Sequence, residues 1–164
     1  MSSFEFLYVR LTAQTGSWDT KVQGNKPEFS RAFVAQMAGR IKPRRVYHAA
    51  LGFYCDDLES IAELNLGMAN WCWMNIKKHH PDNSFSALEV ARVAELAVLM
   101  YLYPWQEDSR SATSCAKWVR VALKTWNAKY HRQRDIIVQE LAQMKSDGDF
   151  QFREIMREDR EKIA

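Results

Sequence analysis

The sequence predicts an all-α fold in a single domain over residues 1–164, and three observations support this prediction. Apolar residues recur at three- and four-residue spacings through most of the chain, which is the period of an amphipathic helix. Glycine and proline are scarce, at six and four residues, which argues against a turn-rich β fold. Apolar residues make up 47% of the chain, with six Trp, eight Phe and six Tyr. This composition can build a core and excludes a disordered chain.

The N-terminal part is predicted to hold two helices separated by a loop. Residues 3–14 fit a short helix, and a strand is the weaker alternative because the apolar residues do not alternate. Residues 15–27 are polar, contain glycine and show no helical period, so we expect a loop or arm there. A loop of this length inside a compact domain is often functional or disordered. A second helix is expected over 28–41, and Pro43 either ends it or begins the next one.

Two further helices are expected over residues 44–55 and 56–79. The second should begin at Asp56, because Glu59 follows three positions later in the capping-box arrangement. Its apolar residues form two stripes, which suggests a helix that packs on two sides. The first stripe contains Leu58, Ile61, Asn65, Met68, Cys72 and Ile76, and the second contains Leu64, Gly67 and Trp71.

A strongly apolar helix is predicted over residues 87–103. Ser86 and Glu89 repeat the capping-box spacing at its start, and Pro104 should end it. Charged residues interrupt this helix at only three positions, Glu89, Arg92 and Glu95. Most of its surface should therefore be covered by other parts of the protein.

The C-terminal part is predicted to contain a helix-turn-helix over 109–145, a turn at 146–148 and a last amphipathic helix over 149–163. Ala116 supplies the small residue that closely crossing helices need, and the turn follows Val119. The buried side of the second helix should be formed by Trp126, Tyr130, Ile137 and Leu141. The last helix should be capped by Asp149 and should turn Phe152, Ile155, Met156 and Ile163 inward.

Positive charge is concentrated in the helix-turn-helix. Between residues 109 and 145, eight Lys or Arg residues stand against two acids, a local balance of +6. The whole chain carries +3, so the remaining residues together sum to −3. Such asymmetry is typical of a protein with one surface that faces a polyanion. We therefore expect DNA binding. An ordinary helix pair with a solvated basic face is the main alternative, and RNA binding is a more remote one.

Helix-turn-helix geometry suggests a role for each polar residue of this segment. Lys124 and Asn127 are the candidate base readers, because the start of the second helix enters the major groove, where Lys suits guanine and Asn suits adenine. These two residues share the exposed side of the helix with Ala128, His131 and Arg132. The candidate phosphate contacts are Arg110, Lys117, Arg120, Lys129, Arg132 and Arg134. Arg120 occupies the turn position that usually favours glycine, so a positive φ there would cost about 1 kcal/mol or more.

One stretch of this segment is similar to a known family. The pattern R-S-A-x-x-x-A-x-W-V-x-V-A-L-x-T-W resembles the Q antitermination proteins of lambdoid phages, and the helix-turn-helix also resembles the promoter-reading end of sigma factors (region 4). The match covers roughly a fifth of the chain. The matching residues are Arg110, Ser111, Ala112, Ala116, Trp118, Val119, Val121, Ala122, Leu123, Thr125 and Trp126.

This resemblance implies a non-enzymatic factor that binds double-stranded DNA beside a phage late promoter. Family members load onto bacterial RNA polymerase while sigma is still bound, travel with it and prevent terminator hairpins from folding in the RNA exit channel. The lambda member has a zinc-binding Cys cluster that this chain lacks, so the resemblance is to a zinc-free type without cofactors. The polymerase-contacting residues cannot be transferred from the motif; our expectation is the 15–27 arm and the C-terminal helix. A homodimer on DNA is one option for its assembly.

Other functions remain open at this point. A phage small terminase subunit also joins a helix-turn-helix to oligomerising helices, and an anti-sigma-like interaction module would bind polymerase without DNA. The acidic residues Asp56, Asp57, Glu59 and Glu63 could hold Mg²⁺ for nuclease chemistry, although helix capping explains the first three. His79 and His80 with Cys72 are weak support for zinc.

The sequence also predicts the compartment of the protein. No signal peptide or membrane-spanning run is evident, so we expect the bacterial host cytoplasm and no membrane partner. Cys55, Cys72 and Cys115 are expected to be reduced, buried thiols, because they are odd in number and far apart in the chain.

Overall fold

The computed structural model of the chain describes residues 36–55, 58–80, 84–103 and 111–163. All regular elements in these ranges are helical and none is a strand, so the predicted all-α class is confirmed. The first four helices are α1 (Arg44–Cys55), α2 (Leu58–His79), α3 (Ala87–Leu102) and α4 (Ala112–Val119). A helical turn, Leu123–Thr125, and a π-helical segment, Trp126–Tyr130, then lead without a break into α5, His131–Ile163.

Several predictions lie outside the described residues. They are the helix over 3–14, the 15–27 arm, most of the helix over 28–41, the cap at Asp56 and the stop at Pro104. Within the described ranges, no helix is both long and apolar enough to cross a membrane.

Four of the helices form a closed ring. α2 packs against α1 and α3, and α5 packs against the same two helices from the other side. This arrangement is a four-helix bundle, with the apolar stripes of all four helices directed to one core. α4 lies outside the ring, where it contacts α3 and the π-helical segment. The helix-turn-helix is therefore an addition to the bundle, and its second helix continues into the bundle as α5.

α2 buries one stripe rather than the two that were predicted. The buried residues recur every four positions: Ser60, Leu64, Met68, Cys72 and Ile76. Leu58 is 78% exposed, Gly67 is exposed, and Asn65 and Trp71 are half-buried. The prediction was wrong because the buried stripe combines residues of both predicted stripes, and the positions of α1 and α3 decide which residues are covered.

α3 is covered on most sides, as predicted, but it does not begin with a capping box. Ser86 occupies the N-cap position without a side-chain hydrogen bond to the backbone. Glu89 instead accepts a hydrogen bond from the Tyr130 hydroxyl. The expected reciprocal cap is therefore replaced by a tertiary contact with the π-helical segment.

The predicted turn at 146–148 is wrong, because α5 runs through these residues as one helix. Gly148 is buried where α5 crosses α1. A Cβ atom at this position would lie 3.3 Å from the Ala50 Cβ and 3.5 Å from a Val46 methyl group. Glycine thus permits close approach here and does not end the helix. Consequently Asp149 does not cap a new helix.

The far end of α5 contributes to the core and holds the segment that precedes α1. Phe152 and Met156 are buried and Ile155 is half-buried, as predicted, while the Ile163 side chain lies outside the described set. The Gln151 amide donates to the Lys42 carbonyl and accepts from the Lys42 backbone N–H at 2.8 Å. The Lys42–Pro43 peptide bond between this contact and α1 is cis.

Candidate nucleic-acid interface

Both ends of α4 are defined by local hydrogen bonds. The Ser111 hydroxyl accepts from the Ser114 backbone N–H at 3.1 Å, an N-cap contact. At the other end Arg120 has φ 63° and ψ 47°. Its N–H donates to the Lys117 carbonyl at 3.1 Å, and the Val121 N–H donates to the Ala116 carbonyl at 3.0 Å. These bonds form a Schellman motif, and they place a three-residue turn at 120–122.

The residues predicted to lock the two helices together are buried. Ala116 and Val119 are buried on α4. On the second helix, all four predicted inward residues have no exposed surface: Trp126, Tyr130, Ile137 and Leu141. The helix, turn and second helix predicted from apolar spacing are therefore present, with the break at Arg120.

The second helix begins with a π-helical segment, Trp126–Tyr130, that the spacing did not predict. A π-turn accommodates one more residue than an α-turn and shifts the register of the side chains that follow it. Here it places both Trp126 and Tyr130 in the core while Asn127 and Ala128 between them stay exposed. The Trp126 indole N–H makes no hydrogen bond in the described structure, so apolar packing and the Arg134 guanidinium over its face hold this ring.

Polar contacts from the start of α3 hold the π-helical segment in place. The Tyr130 hydroxyl donates to Glu89, and its ring lies edge-on to Phe85 at 5.6 Å. The Lys129 ammonium donates to the Ser84 carbonyl at 3.1 Å and hydroxyl at 2.7 Å. Burial, and then the hydrogen bond to Glu89, raise the pKa of Tyr130 to about 12. The first turns of the second helix are therefore anchored before any ligand binds.

Four cations around the turn and along the start of the second helix are exposed: Lys117, Arg120, Lys124 and Arg132. We call this set the cationic face. None of the four makes an ion pair with another described residue. Asn127 and His131 are exposed on the same helix. Lys124 and Asn127, the predicted base readers, therefore point outward as a groove-binding helix requires.

Two of the predicted phosphate contacts occupy a different environment. The Arg134 side chain is only 12% exposed, and it is paired with Asp135 at 2.5 Å. Its guanidinium also lies over the Trp126 ring, 5.6 Å from the centroid. Arg134 therefore supports the core and does not belong to the cationic face, which corrects the prediction. Lys129 is committed to Ser84 as described above. Arg110 lies outside the described residues.

His131 differs from the neighbouring cations because a carboxylate stands beside it. Its Nδ1 lies 3.6 Å from the Asp135 Oδ2, and both side chains are about half exposed. Asp135 thus contacts both His131 and Arg134, which limits the positive charge at this end of the helix. The cationic face is therefore strongest near the turn.

Two apolar side chains border the cationic face, and the sequence reasoning did not assign them a role. Trp118 is 47% exposed on α4, and Leu123 is 44% exposed at the first position after the turn. Helical spacing could have identified both, because neither lies on the buried stripe. In a major groove, apolar side chains of this kind contact the thymine methyl group.

Over the residues that it describes, the structure does not bring the other candidate ligands, those for magnesium and zinc, together into a site. Glu59 and Glu63 are exposed on α2, whereas Asp56 and Asp57 lie outside the described residues. His79 and His80 are exposed, while Cys72 is buried. No group of three or more potential metal ligands occurs in the part of the chain that the structure describes.

The described cysteines are buried free thiols, as expected for Cys72 and Cys115. Burial raises the pKa of Cys72 to about 11. Burial also raises the pKa of Cys115, although the hydrogen bond from Arg134 opposes this shift. Both thiols are therefore protonated at neutral pH. The Cys55 side chain lies outside the described set.

Comparisons of the chain with protein-family models, with curated proteins and with solved structures find no match.

Proposed function

We propose that the protein binds double-stranded DNA through the cationic face and acts as a transcription antitermination factor in the bacterial cytoplasm, with sigma-bound RNA polymerase as its partner. The observation that carries this proposal is the cluster of exposed, unpaired cations around a three-residue turn between two helices. The antitermination part rests on the resemblance of residues 110–126 to the Q proteins.

Electrostatics explains why these cations favour a nucleic acid. Each phosphate that a Lys or Arg neutralises releases condensed counterions, so each contact makes log K fall more steeply with log salt concentration, by about 0.9 in slope. Among the described residues, the cations of the cationic face have no carboxylate partner to lose on binding. Their full charge is therefore available to phosphates, unlike that of Arg134.

Sequence preference would come from the first turn of the second helix. Lys124 can donate to guanine and Asn127 can bond adenine with both atoms of its amide, whereas Leu123 suits a thymine methyl. The Schellman turn and the contacts of Tyr130 and Lys129 fix the backbone that carries these three side chains. A preformed recognition element reduces the entropy that must be lost on binding.

Duplex binding is tested by fluorescence anisotropy over a series of salt concentrations. Replacing Lys117 or Arg132, two of the predicted phosphate contacts, with alanine should reduce the slope of log K against log salt by about 0.9 each. Arg153→Ala is the matched control, because this exposed arginine lies on the distal part of α5. Equal slopes for all these variants and the wild type would contradict binding through the cationic face.

Base reading is tested by Asn127→Ala in a selection from random duplexes. This change should relax the preference at one base pair, at a cost of about 1–3 kcal/mol on the preferred sequence. An unchanged preference would place Asn127 outside the groove.

Antitermination is tested by transcription in vitro from a phage late promoter with a terminator downstream. The protein should increase readthrough by the sigma-containing polymerase, and Lys124→Ala should lose this effect. DNA binding without any readthrough would reject antitermination while leaving the interface intact. A large closed ring in light scattering would then point to a small terminase subunit.

A further inference from the structure

Three large apolar side chains are exposed along α2: Leu58, Leu66 and Met74 are 78%, 70% and 61% exposed. α2 is a bundle helix whose opposite side already packs against α1 and α3. The three residues are eight positions apart, so each is turned by about 80° from the next, and Leu66 and Met74 lie nearest the side opposite the buried stripe.

The charges on the same side are divided between the two ends of the helix. Glu59 and Glu63 are exposed near the start, and Lys77 and Lys78 are exposed near the end. None of the four makes an ion pair among the described residues. The Lys77 ammonium lies 5.0 Å from the centre of the Trp73 ring, which keeps it on this side.

This distribution makes the surface complementary to itself. Glu59, Leu66, Asn70 and Lys77 are spaced by seven, four and seven residues, so they lie on one side of the helix. When a second copy of α2 is placed alongside in the opposite direction, Glu59 of each copy faces Lys77 of the other. Leu66 then faces Asn70 at the centre.

The size of the side chains fits the same pairing. In this register Ala62 lies opposite Met74, so a small residue meets a large one. Beside Leu66, Gly67 is exposed and a Cβ atom added there would meet nothing within 4 Å, which leaves room for close approach by a neighbouring helix.

We propose that the outward side of α2 forms a two-fold symmetric dimer interface with a second copy of this chain. Two-fold pairing uses the same patch on both subunits, which is the commonest symmetry of homo-oligomers. The partner is a second copy because both charge pairs form only when the opposing helix carries acids at one end and lysines at the other.

The geometry of this dimer fits DNA, a point that rests on the proposed function. The helix-turn-helix lies near the C-terminal end of α2, since His80 contacts Phe85 at 6.1 Å and Phe85 contacts Tyr130 at 5.6 Å. α2 has 22 residues and is therefore about 33 Å long. Antiparallel pairing would offset the two helix-turn-helix elements by about this length along the α2 axis, a component comparable to the roughly 34–36 Å between successive major grooves on one side of DNA.

Charge reversal tests the pairing by sedimentation at low salt without DNA. The wild type should show a dimer of doubled mass at high protein concentration. Glu59→Lys and Lys77→Glu should each be monomeric, because each places like charges opposite one another twice. An equimolar mixture of the two variants should dimerise again, because both contacts then join opposite charges. Thermal unfolding of each variant verifies that it is folded.

A wild type that stays monomeric at all concentrations would overturn the proposal, and so would a mixture that stays monomeric. Leu66→Lys gives a second test of the same interface, and it should abolish the dimer without changing the fold. DNA binding by the Leu66→Lys monomer separates the two proposals. If the affinity of this monomer for DNA still falls when Lys124 is replaced with alanine, the DNA interface is supported even if the dimer failed.

Discussion

The two parts of the continuous helix from Leu123 to Ile163 differ in charge and in the way they are held. Residues 123–132 carry three Lys or Arg and no acid, whereas residues 133–163 carry six Lys or Arg and eight acids. The first part is fastened to the start of α3 by polar and aromatic contacts. The second part is a member of the four-helix bundle and packs along α1 and α3.

This difference shows how one helix can serve two purposes. In the bundle part, mixed charges pair with each other and with neighbouring helices, as in Arg157 with Glu154 and Arg45 with Glu140. In the first part the cations of the helix surface remain unpaired, and buried Trp126 and Tyr130 supply the stability. Lys129 donates to Ser84, but anchoring does not depend on Lys124 and Arg132, so the charge of these two residues is free for a ligand.

The largest expected effect comes from removing a buried aromatic side chain from either part of this helix. Trp126→Ala and Phe152→Ala each remove a fully buried aromatic ring and should lower the free energy of unfolding by about 3–5 kcal/mol. Denaturant titration measures this loss. At a temperature where both variants are folded, only Trp126→Ala should weaken DNA binding. If Phe152→Ala weakened it equally, the two parts would not be separable.

A smaller effect is expected from the contact that fastens the first part. Tyr130→Phe leaves the Glu89 carboxylate without its hydroxyl donor and should cost about 1.5–3 kcal/mol, as for other hydrogen bonds to charged groups. Denaturant titration at neutral pH measures this loss, and a free energy of unfolding equal to that of the wild type would contradict a stabilising role for the contact.

The same contact predicts a pH dependence. The pKa of Tyr130 is about 12 in the folded protein and about 10 in an unfolded chain. The unfolded state therefore loses this proton first, so the stabilisation is complete below pH 10 and declines as the pH rises towards 12. As the pH rises from about 10 to about 12, the urea concentration at the unfolding midpoint should fall less steeply for Tyr130→Phe than for the wild type. Parallel curves for the two proteins would contradict the assignment.

Overpacking tests the bundle part alone. Gly148→Leu forces a side chain between α5 and α1, where even an added Cβ would lie 3.3 Å from the Ala50 Cβ, and should cost about 1–3 kcal/mol. Gly67→Leu is the matched control, since the space beside that glycine is open. Calorimetry should show a lower melting temperature for the first variant only. A loss of similar size in both would mean that the close crossing at Gly148 is not the cause.

The smallest expected effect is a gain at the turn. Arg120 adopts a left-handed conformation that glycine adopts without strain, so Arg120→Gly should stabilise the protein by about 1 kcal/mol. Arg120→Ala retains the strain and serves as the control for the lost charge. Denaturant titration measures both variants, and destabilisation by Arg120→Gly would show that the arginine side chain contributes more than its backbone costs.

The sequence predicted much of the fold and part of the candidate site. The four inward residues of the second helix and the break at Arg120 were predicted correctly because both depend on spacing within a short segment. Lys124 and Asn127 were placed on the exposed side for the same reason. The burial of Arg134 was not predicted, because its pairing with Asp135 and its position over the Trp126 ring are side-chain contacts that the apolar spacing does not report.

The chain alone thus determined the helical class and the turn at Arg120 through local periodicity, and the excess of cations beside the turn through composition. The tertiary structure decided which residues of α2 are buried. It also decided that the helix continues through Gly148 instead of ending there. The physical reason is that helical spacing acts between residues three and four positions apart, whereas burial depends on the neighbouring helix. A glycine, in particular, has the same local preference at a turn and at a close crossing, and only the opposing surface of α1 distinguishes the two.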